Sequence, residues 1–302
     1  MLRKFITPKP ADHVGIQTLR GLIWVSPWIV GFVLFMLLPI GMSIYYSLTD
    51  YSLLEAPVFI GLDNYRELFS DPVFWISVRV TAIYALCSVL LSTIITIALA
   101  VLLNNKLRGV GIVRAIVFLP TLVPLVAAAL GWMWLYDGEM GLINNLLAKL
   151  SIDGPNWLGE KHWALLSLIM MSLWQVGAAM VICLAALQSV PRSLYDAANI
   201  DGAQPLSRFR HITLPMISPA VLFNIIIALI WSVQVFAVPY IMTQGGPEDS
   251  TRFYTIYLYE NAFVYGRMGY ASAMAWLQLL TVLGLTAIIL RLSRNFVHYR
   301  IT

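Results

Sequence analysis

Residues 80–103 read VTAIYALCSVLLSTIITIALAVLL, twenty-four positions without one Asp, Glu, Lys or Arg. About 20 apolar residues in a helix cross the roughly 30 Å core of a bilayer. Hydrocarbon offers no partner to a free amide, so only helices and closed barrels cross it, and barrel strands run to about 9–11 residues. This stretch is too long for such a strand. It predicts a membrane-spanning helix.

Five further windows are equally free of formal charge: 22–48, 115–136, 164–190, 215–242 and 268–290. Each holds at least 22 residues. The whole chain of 302 residues is 60% hydrophobic and 11% charged, with mean hydropathy +0.80. Soluble domains carry about 25% charged residues. An ordinary soluble enzyme, a disordered chain and a nucleic-acid binder are therefore excluded. The expected fold is all-α: one polytopic domain, 1–302, with six transmembrane helices. The first window is longer than the roughly 7–15 residues of a signal-peptide core and lacks a small-residue cleavage site, so it should remain as an anchor. Stretches such as Gly61–Trp75 are amphipathic and suit short helices along the interface.

Charge orients the chain. The tail 1–21, the loop 104–114, the loop 191–214 and the C-terminal tail together carry thirteen basic residues and three acidic ones, Asp12, Asp196 and Asp201. The other three loops hold six basic and twelve acidic residues. The positive-inside rule puts both termini in the cytoplasm.

Much chemistry is missing. None of the windows holds an acid for a proton relay, which disfavours a proton-driven carrier. None of the five lysines follows a glycine, so no phosphate-binding loop exists. His13, His162, His211 and His298 show no metal-ligand spacing, and Cys87 and Cys183 sit in apolar runs. Nucleophile elbows and zinc-protease motifs are absent. Pro27, Pro39, Pro120, Pro124, Pro219 and Pro239 interrupt the spans; they are either tolerated there or kink helices around a cavity.

The loop 189–219, SVPRSLYDAANIDGAQPLSRFRHITLPMISP, is the informative one. Pro191–Ser193 opens a short amphipathic helix whose apolar strip is Leu194, Ala197 and Ala198, with Tyr195 and Asp196 pointing elsewhere. Asp201–Gly202 gives a turn, since glycine tolerates positive φ. A second helical stretch, Pro205 to Ile212, leads into the fifth span. The small residues Ala197, Ala198, Gly202 and Ala203 let another protein approach the backbone closely.

Asp196-Ala-Ala-x-x-Asp201-Gly202-Ala203, eight residues, then Ile212-x-Leu214-Pro215 resembles the EAA signature of permease subunits in binding-protein-dependent ABC importers. Asp196 stands where that family usually has Glu, one methylene shorter. Gly61-Leu-Asp-Asn64-Tyr65, Phe118-Leu-Pro120 and Trp132-x-Trp134 through Gly141-Leu-Ile-Asn144 are similar to the sugar-type permeases of maltose and glycerol-phosphate importers. Phe296–Thr302 lacks the glycine-rich tail of one of the two permease types, so the chain resembles the first type. The resemblance implies a type I importer permease in a bacterial inner membrane, translocating a carbohydrate by alternating access. Tyr195, Asp196, Ala197, Ala198, Asp201, Gly202, Ala203, Leu214 and Pro215 would then couple it to the ATPase. It also implies four kinds of partner: a second, different permease, two ATP-binding subunits, an extracytoplasmic solute-binding protein and the sugar. ATP and Mg would be used by the ATPase subunits, with no cofactor held by this chain. A sodium-linked carrier and a membrane scaffold or insertase subunit are the rival readings.

Sugar sites combine aromatic faces with amides and hydroxyls. Within the spans, Trp174, Gln175, Asn224, Trp231, Gln234 and Tyr240 offer these groups, and Asn224, Trp231 and Gln234 share broadly one helix face. The alternative for each is a tie between helices or an interface marker.

Overall fold

The computed structural model describes residues 11–105 and 108–294, the side chains of 11–20 excepted. The basic residues of the first ten positions, Lys106, and the C-terminal stretch from Phe296 lie outside the described residues. Helix α1 (Ala11–Phe32) runs through a π-helical turn, Val33–Leu37, into α2 (Leu38–Ser47). Together they supply the first span, Gly21–Ser47, whose most apolar stretch is left unburied by the described residues. A two-stranded hairpin follows, β1 (Thr49–Asp50) antiparallel to β2 (Val58–Phe59), then α3 (Asp63–Ser70). Asn64 fixes this corner. Its buried amide donates to the carbonyl of Ser47 (3.0 Å), which α2 leaves unpaired as it ends, and to that of Thr49 (2.9 Å) in β1. Tyr65 donates to the Ser47 hydroxyl (3.0 Å). The Gly61–Tyr65 segment therefore closes the C-terminal end of the first span.

The stretch 80–103 lies in α4 (Pro72–Leu103), the longest helix, N-capped by Asp71 through the amide of Val73 (2.9 Å). The third window is not one rod. Helix α5 (Val110–Phe118) tightens into a 3-10 turn, Leu119–Leu122, and then meets α6 (Leu125–Leu135) at 102°. Pro120 and Pro124 withhold amides at the break and fix extended backbone before α6. After the short α7 (Leu142–Lys149), the fourth window is α8 (Lys161–Leu173) and α9 (Gly177–Gln188), bent by 45° at residues 174–176. A side chain at Gly177 would place its Cβ 2.4 Å from the Val117 carbonyl, so only glycine lets α9 approach α5 this closely.

The loop after α9 carries α10 (Arg192–Ile200) and α11 (Pro205–Arg208), and a π-helical turn, Phe209–Thr213, leads into α12 (Leu214–Val233). Three residues break the path before α13 (Ala237–Met242); α14 (Tyr254–Tyr259) and a π-helical turn, Glu260–Val264, then precede α15 (Met268–Ser293). The six charge-free windows are thus all helical. Four are long, apolar helical runs, and six spans result when each bent pair is one crossing. Pro27 and Pro219 sit inside helices, so tolerance and breaking both occur in this chain.

Packing has two levels. At one end α4, α6, α8 and α13 share a core containing Tyr84, Tyr136, Trp157, Leu168 and Phe253. At the other, α4, α9 and α12 enclose Ala100, Met180, Leu184 and Ile217, and the 191–214 loop packs beneath them.

Candidate functional site: the 191–214 loop and the broken helices

Helix α10 starts at Pro191, whose φ of −61° and ψ of 130° suit an N-cap. It stops at Gly202 for a definite reason. The amide of Ala203 donates to the Ala198 carbonyl (2.9 Å) and the amide of Gly202 to that of Asn199 (3.1 Å), while Gly202 has φ +71°. This six-to-one plus five-to-two pairing is a Schellman stop, which needs the left-handed conformation at one residue. The expected turn is present, and it uses the positive φ that glycine tolerates. Nothing lies within 4 Å of a Cβ built at Gly202, so this part of the turn faces open space.

The loop is tied down on one side only. Tyr195 shares a hydrogen bond with the Thr213 hydroxyl (2.9 Å) and packs on the core beneath α9 and α12. Arg208 donates to the Asn199 side chain, joining the arm after the turn to α10. The expected apolar strip is therefore corrected. Ala198 is half-buried on the same inner side as Tyr195, whereas Leu194, Ala197 and Asp196 are exposed together with Asp201 and Gly202. Packing of Tyr195 decides which face turns inward. Ile200 and Leu206 stand out, 87% and 76% exposed. Leu214 and Pro215 are half-buried at the start of α12, so they set the arm's direction rather than its outer face. The result is a firmly held knob with a mixed apolar and acidic tip.

The six candidate pathway residues divide. Asn224 spends its amide between helices, donating to the Ala179 carbonyl (3.0 Å) and the Cys183 sulfur (3.3 Å) of α9. It is a helix tie. Trp174 and Gln175 sit at the bend between α8 and α9, Trp174 edge-on to Trp132 with centroids 6.0 Å apart. Trp231 is 69% exposed. Gln234 ends α12 where the backbone leaves the helix, and its side chain is exposed. Tyr240 stacks on Phe236 and meets Tyr259. Irregular backbone at membrane depth is tolerated where protein covers it or it lines a water-filled cavity. Thr255 donates to the Val235 carbonyl and Gln278 to that of Val233 (2.9 Å), meeting part of this need at the 234–236 break. Both were missed from sequence; a polar residue 20 or 45 positions away gives no local signal.

At the α6–α13 end, Arg252 bridges Asp249 (2.7 Å) and Glu260. Burial raises the Glu260 carboxyl above its ordinary value, with Arg252 opposing. Asp71 behaves oppositely overall. Burial acts to raise it, but hydrogen bonds from Tyr257, Tyr270 and the Val73 amide bring it below the usual carboxylate range. Arg267 pairs with Glu67 and lies over the Tyr270 ring at 4.4 Å.

Residues 92–300 match the family described as the binding-protein-dependent transport system inner membrane component. The chain is 41% identical over 296 residues to the probable ABC transporter permease protein YesP of Bacillus subtilis, covering 96% of each. It is 34% identical over 276 residues to the trehalose/maltose transport system permease protein MalF of Thermococcus litoralis, covering 91% of this chain and 93% of that one. Its fold matches a chain in the crystal structure of a bacterial ABC transporter involved in the import of the acidic polysaccharide alginate, with a TM-score of 0.83 and 22% identity, covering 95% of this chain and 99% of that one. A sequence match over two thirds of the chain and full-length likeness to permease proteins lead to one conclusion: this protein belongs to the family of inner-membrane components of binding-protein-dependent transport systems.

Proposed function

We propose that this chain is one permease subunit of an ATP-driven importer of a carbohydrate, and that the 191–214 loop is where the ATPase acts on it. The observation that carries this reading is the knob itself: α10 is held from within by Tyr195 and ended by a Schellman turn, with Asp196, Ala197 and Gly202 left open. A loop anchored on one face passes a push from its free face to α12, which it enters through residues 205–213. Opening and closing of two ATPase subunits would supply that push, with ATP and Mg bound there. This chain performs no covalent chemistry; it is a transport component.

The basic residues of the 191–214 side favour a cytoplasmic position for that loop and both termini. A solute-binding protein would then deliver substrate to the opposite face, and a second, different permease would complete the pathway. The alginate transporter has been crystallised with an alginate pentasaccharide-bound periplasmic protein. Relatives described as permeases for trehalose/maltose, lactose and arabinooligosaccharides support a carbohydrate as cargo. Trp174, Gln175, Trp231, Gln234 and Tyr240 are the proposed pathway residues. Purification of the tagged full chain in mild detergent, with partners identified by mass, tests the assignment. Recovery of an ATPase and a second permease is expected; a chain that transports alone and carries no ATPase would favour a secondary carrier.

A further inference from the structure

The break between α12 and α13 differs from the other two broken windows. Pro205–Met242 keeps to one long apolar path across it, whereas α5–α6 turns by 102° and α8–α9 by 45°. Its own residues do not impose it. Gln234, Val235 and Phe236 include no glycine or proline, and none has positive φ. Gln234 (φ −104°, ψ 11°) and Phe236 (φ −132°, ψ −59°) have no dihedral more than about 70° from its helical value. What holds the break is donated from elsewhere. In an unbroken helix the Val233 carbonyl would accept from the Ala237 amide. Here it accepts from the Gln278 side chain of α15 (2.9 Å). The Val235 carbonyl would face Pro239, which has no N–H, and it accepts instead from the Thr255 hydroxyl of α14. Both donors are half-buried. An unmet carbonyl at membrane depth is costly, so these two bonds decide whether the broken path is stable.

We propose that Gln278 and Thr255 are positioning residues, a latch that keeps the fifth window broken at 234–236 and lets it wind into helix when the ATPase acts on the 191–214 loop. The inference rests on the ATP-driven reading above. Helix α12 runs from that loop to the break, and α13 beyond it packs on α6. The state of the break therefore sets how far a push on α12 reaches α13 and α6. Winding replaces the Gln278 bond by the Ala237 amide and leaves at Val235 only the kink that Pro239 imposes. Each state satisfies the Val233 carbonyl once, as a two-state element requires.

The test uses the complete importer, this chain with its partner permease, ATPases and binding protein. Cryo-electron microscopy of the wild-type complex, without nucleotide and with a non-hydrolysable ATP analogue, reads the backbone at 234–236 directly. The Gln278–Val233 bond should be present without nucleotide and replaced by the Ala237 amide with it. A bond that persists in both states overturns the latch. Weakening the broken state favours the wound one that ATPase closure selects. In proteoliposomes, ATP hydrolysis without binding protein should therefore rise about twofold to tenfold in Gln278→Leu and in Thr255→Val, the equilibrium shift worth one hydrogen bond. Thr255→Ser keeps the hydroxyl and should hydrolyse at the wild-type rate. Loss of a merely structural bond would lower Tm without raising this rate. Rates at or below wild type in both Gln278→Leu and Thr255→Val, or equal rises in Thr255→Ser and Thr255→Val, overturn the latch alone. A wild-type complex that hydrolyses no ATP overturns the ATP-driven reading and the latch with it.

Discussion

Replacing Gly202 by valine attacks the 191–214 loop at the one position where backbone, not side chain, is decisive. Its φ of +71° is left-handed, a conformation that costs an L-residue roughly 1–2 kcal/mol and a β-branched one more. No atom lies within 4 Å of the added Cβ, so the penalty is conformational rather than a collision inside the chain. The Ala203-to-Ala198 and Gly202-to-Asn199 hydrogen bonds form only while that φ is kept. A cost of about 1–2 kcal/mol lowers the population of the intact turn by about 5- to 30-fold relative to the wild type. Gly202→Asn should be milder, since asparagine tolerates the left-handed region. The assay compares ATPase recovered with the tagged chain, and uptake by the complex, for Gly202→Val, Gly202→Asn and wild type at equal membrane levels. Valine should lose association or uptake and asparagine should keep most of it. Equal, wild-type behaviour of both variants would refute the claim that this turn sets the docking surface.

Other outcomes follow from particular contacts. Asn224→Ala removes the α12–α9 hydrogen bonds and should lower the Tm of the detergent-solubilised chain, by about 1–3 kcal/mol in stability. Gln234→Ala, exposed at the end of α12, should leave Tm unchanged and reduce uptake. Gly177→Ala brings a Cβ to within 2.4 Å of the Val117 carbonyl and should cost about 1–3 kcal/mol by forcing α5 and α9 apart, read as a Tm loss. Because the Asp71 carboxyl is held below its ordinary value, its hydrogen bonds stabilise fully above the unfolded carboxyl value of about 3.9, and that stabilisation fades as pH falls through the lower native value. Thermal melts from pH 6 to pH 3 should show an acid-dependent loss in the wild type that is smaller in Asp71→Asn.

Element type was legible because it depends on local composition. A run such as 80–103 cannot cross hydrocarbon except as a helix, and it lies wholly in α4. The turn that ends α10 was legible for the same reason, since Asp201–Gly202 specifies its own backbone. Breaks were harder to read. Pro219 sits inside α12, where the Ser218 hydroxyl donates to the Pro215 carbonyl that the proline leaves free (2.6 Å), while Pro120 and Pro124 flank a 102° bend. Helix phase was illegible too: which side of α10 turns inward depends on Thr213, eighteen residues away from Tyr195. Asn224 looked available because its partner carbonyl, Ala179, lies on another helix. The contacts of Phe236 and Tyr240 with Tyr259 were illegible as well, since they join rings about twenty residues apart across a loop whose path periodicity does not describe.

The central claim is that ATP hydrolysis elsewhere reaches this subunit through the exposed face of α10. Asp196→Lys tests it most directly, because the Asp196 side chain is exposed and makes no hydrogen bond or ion pair among the described residues, and the substitution reverses the charge of the tip. The measurement is ATP-dependent sugar uptake into proteoliposomes containing the assembled complex, with ATPase recovery quantified in the same preparation. Uptake should be strictly ATP-dependent in the wild type and strongly reduced in Asp196→Lys while the chain remains inserted and folded. Wild-type uptake by Asp196→Lys, or uptake that persists without ATP, would contradict the account.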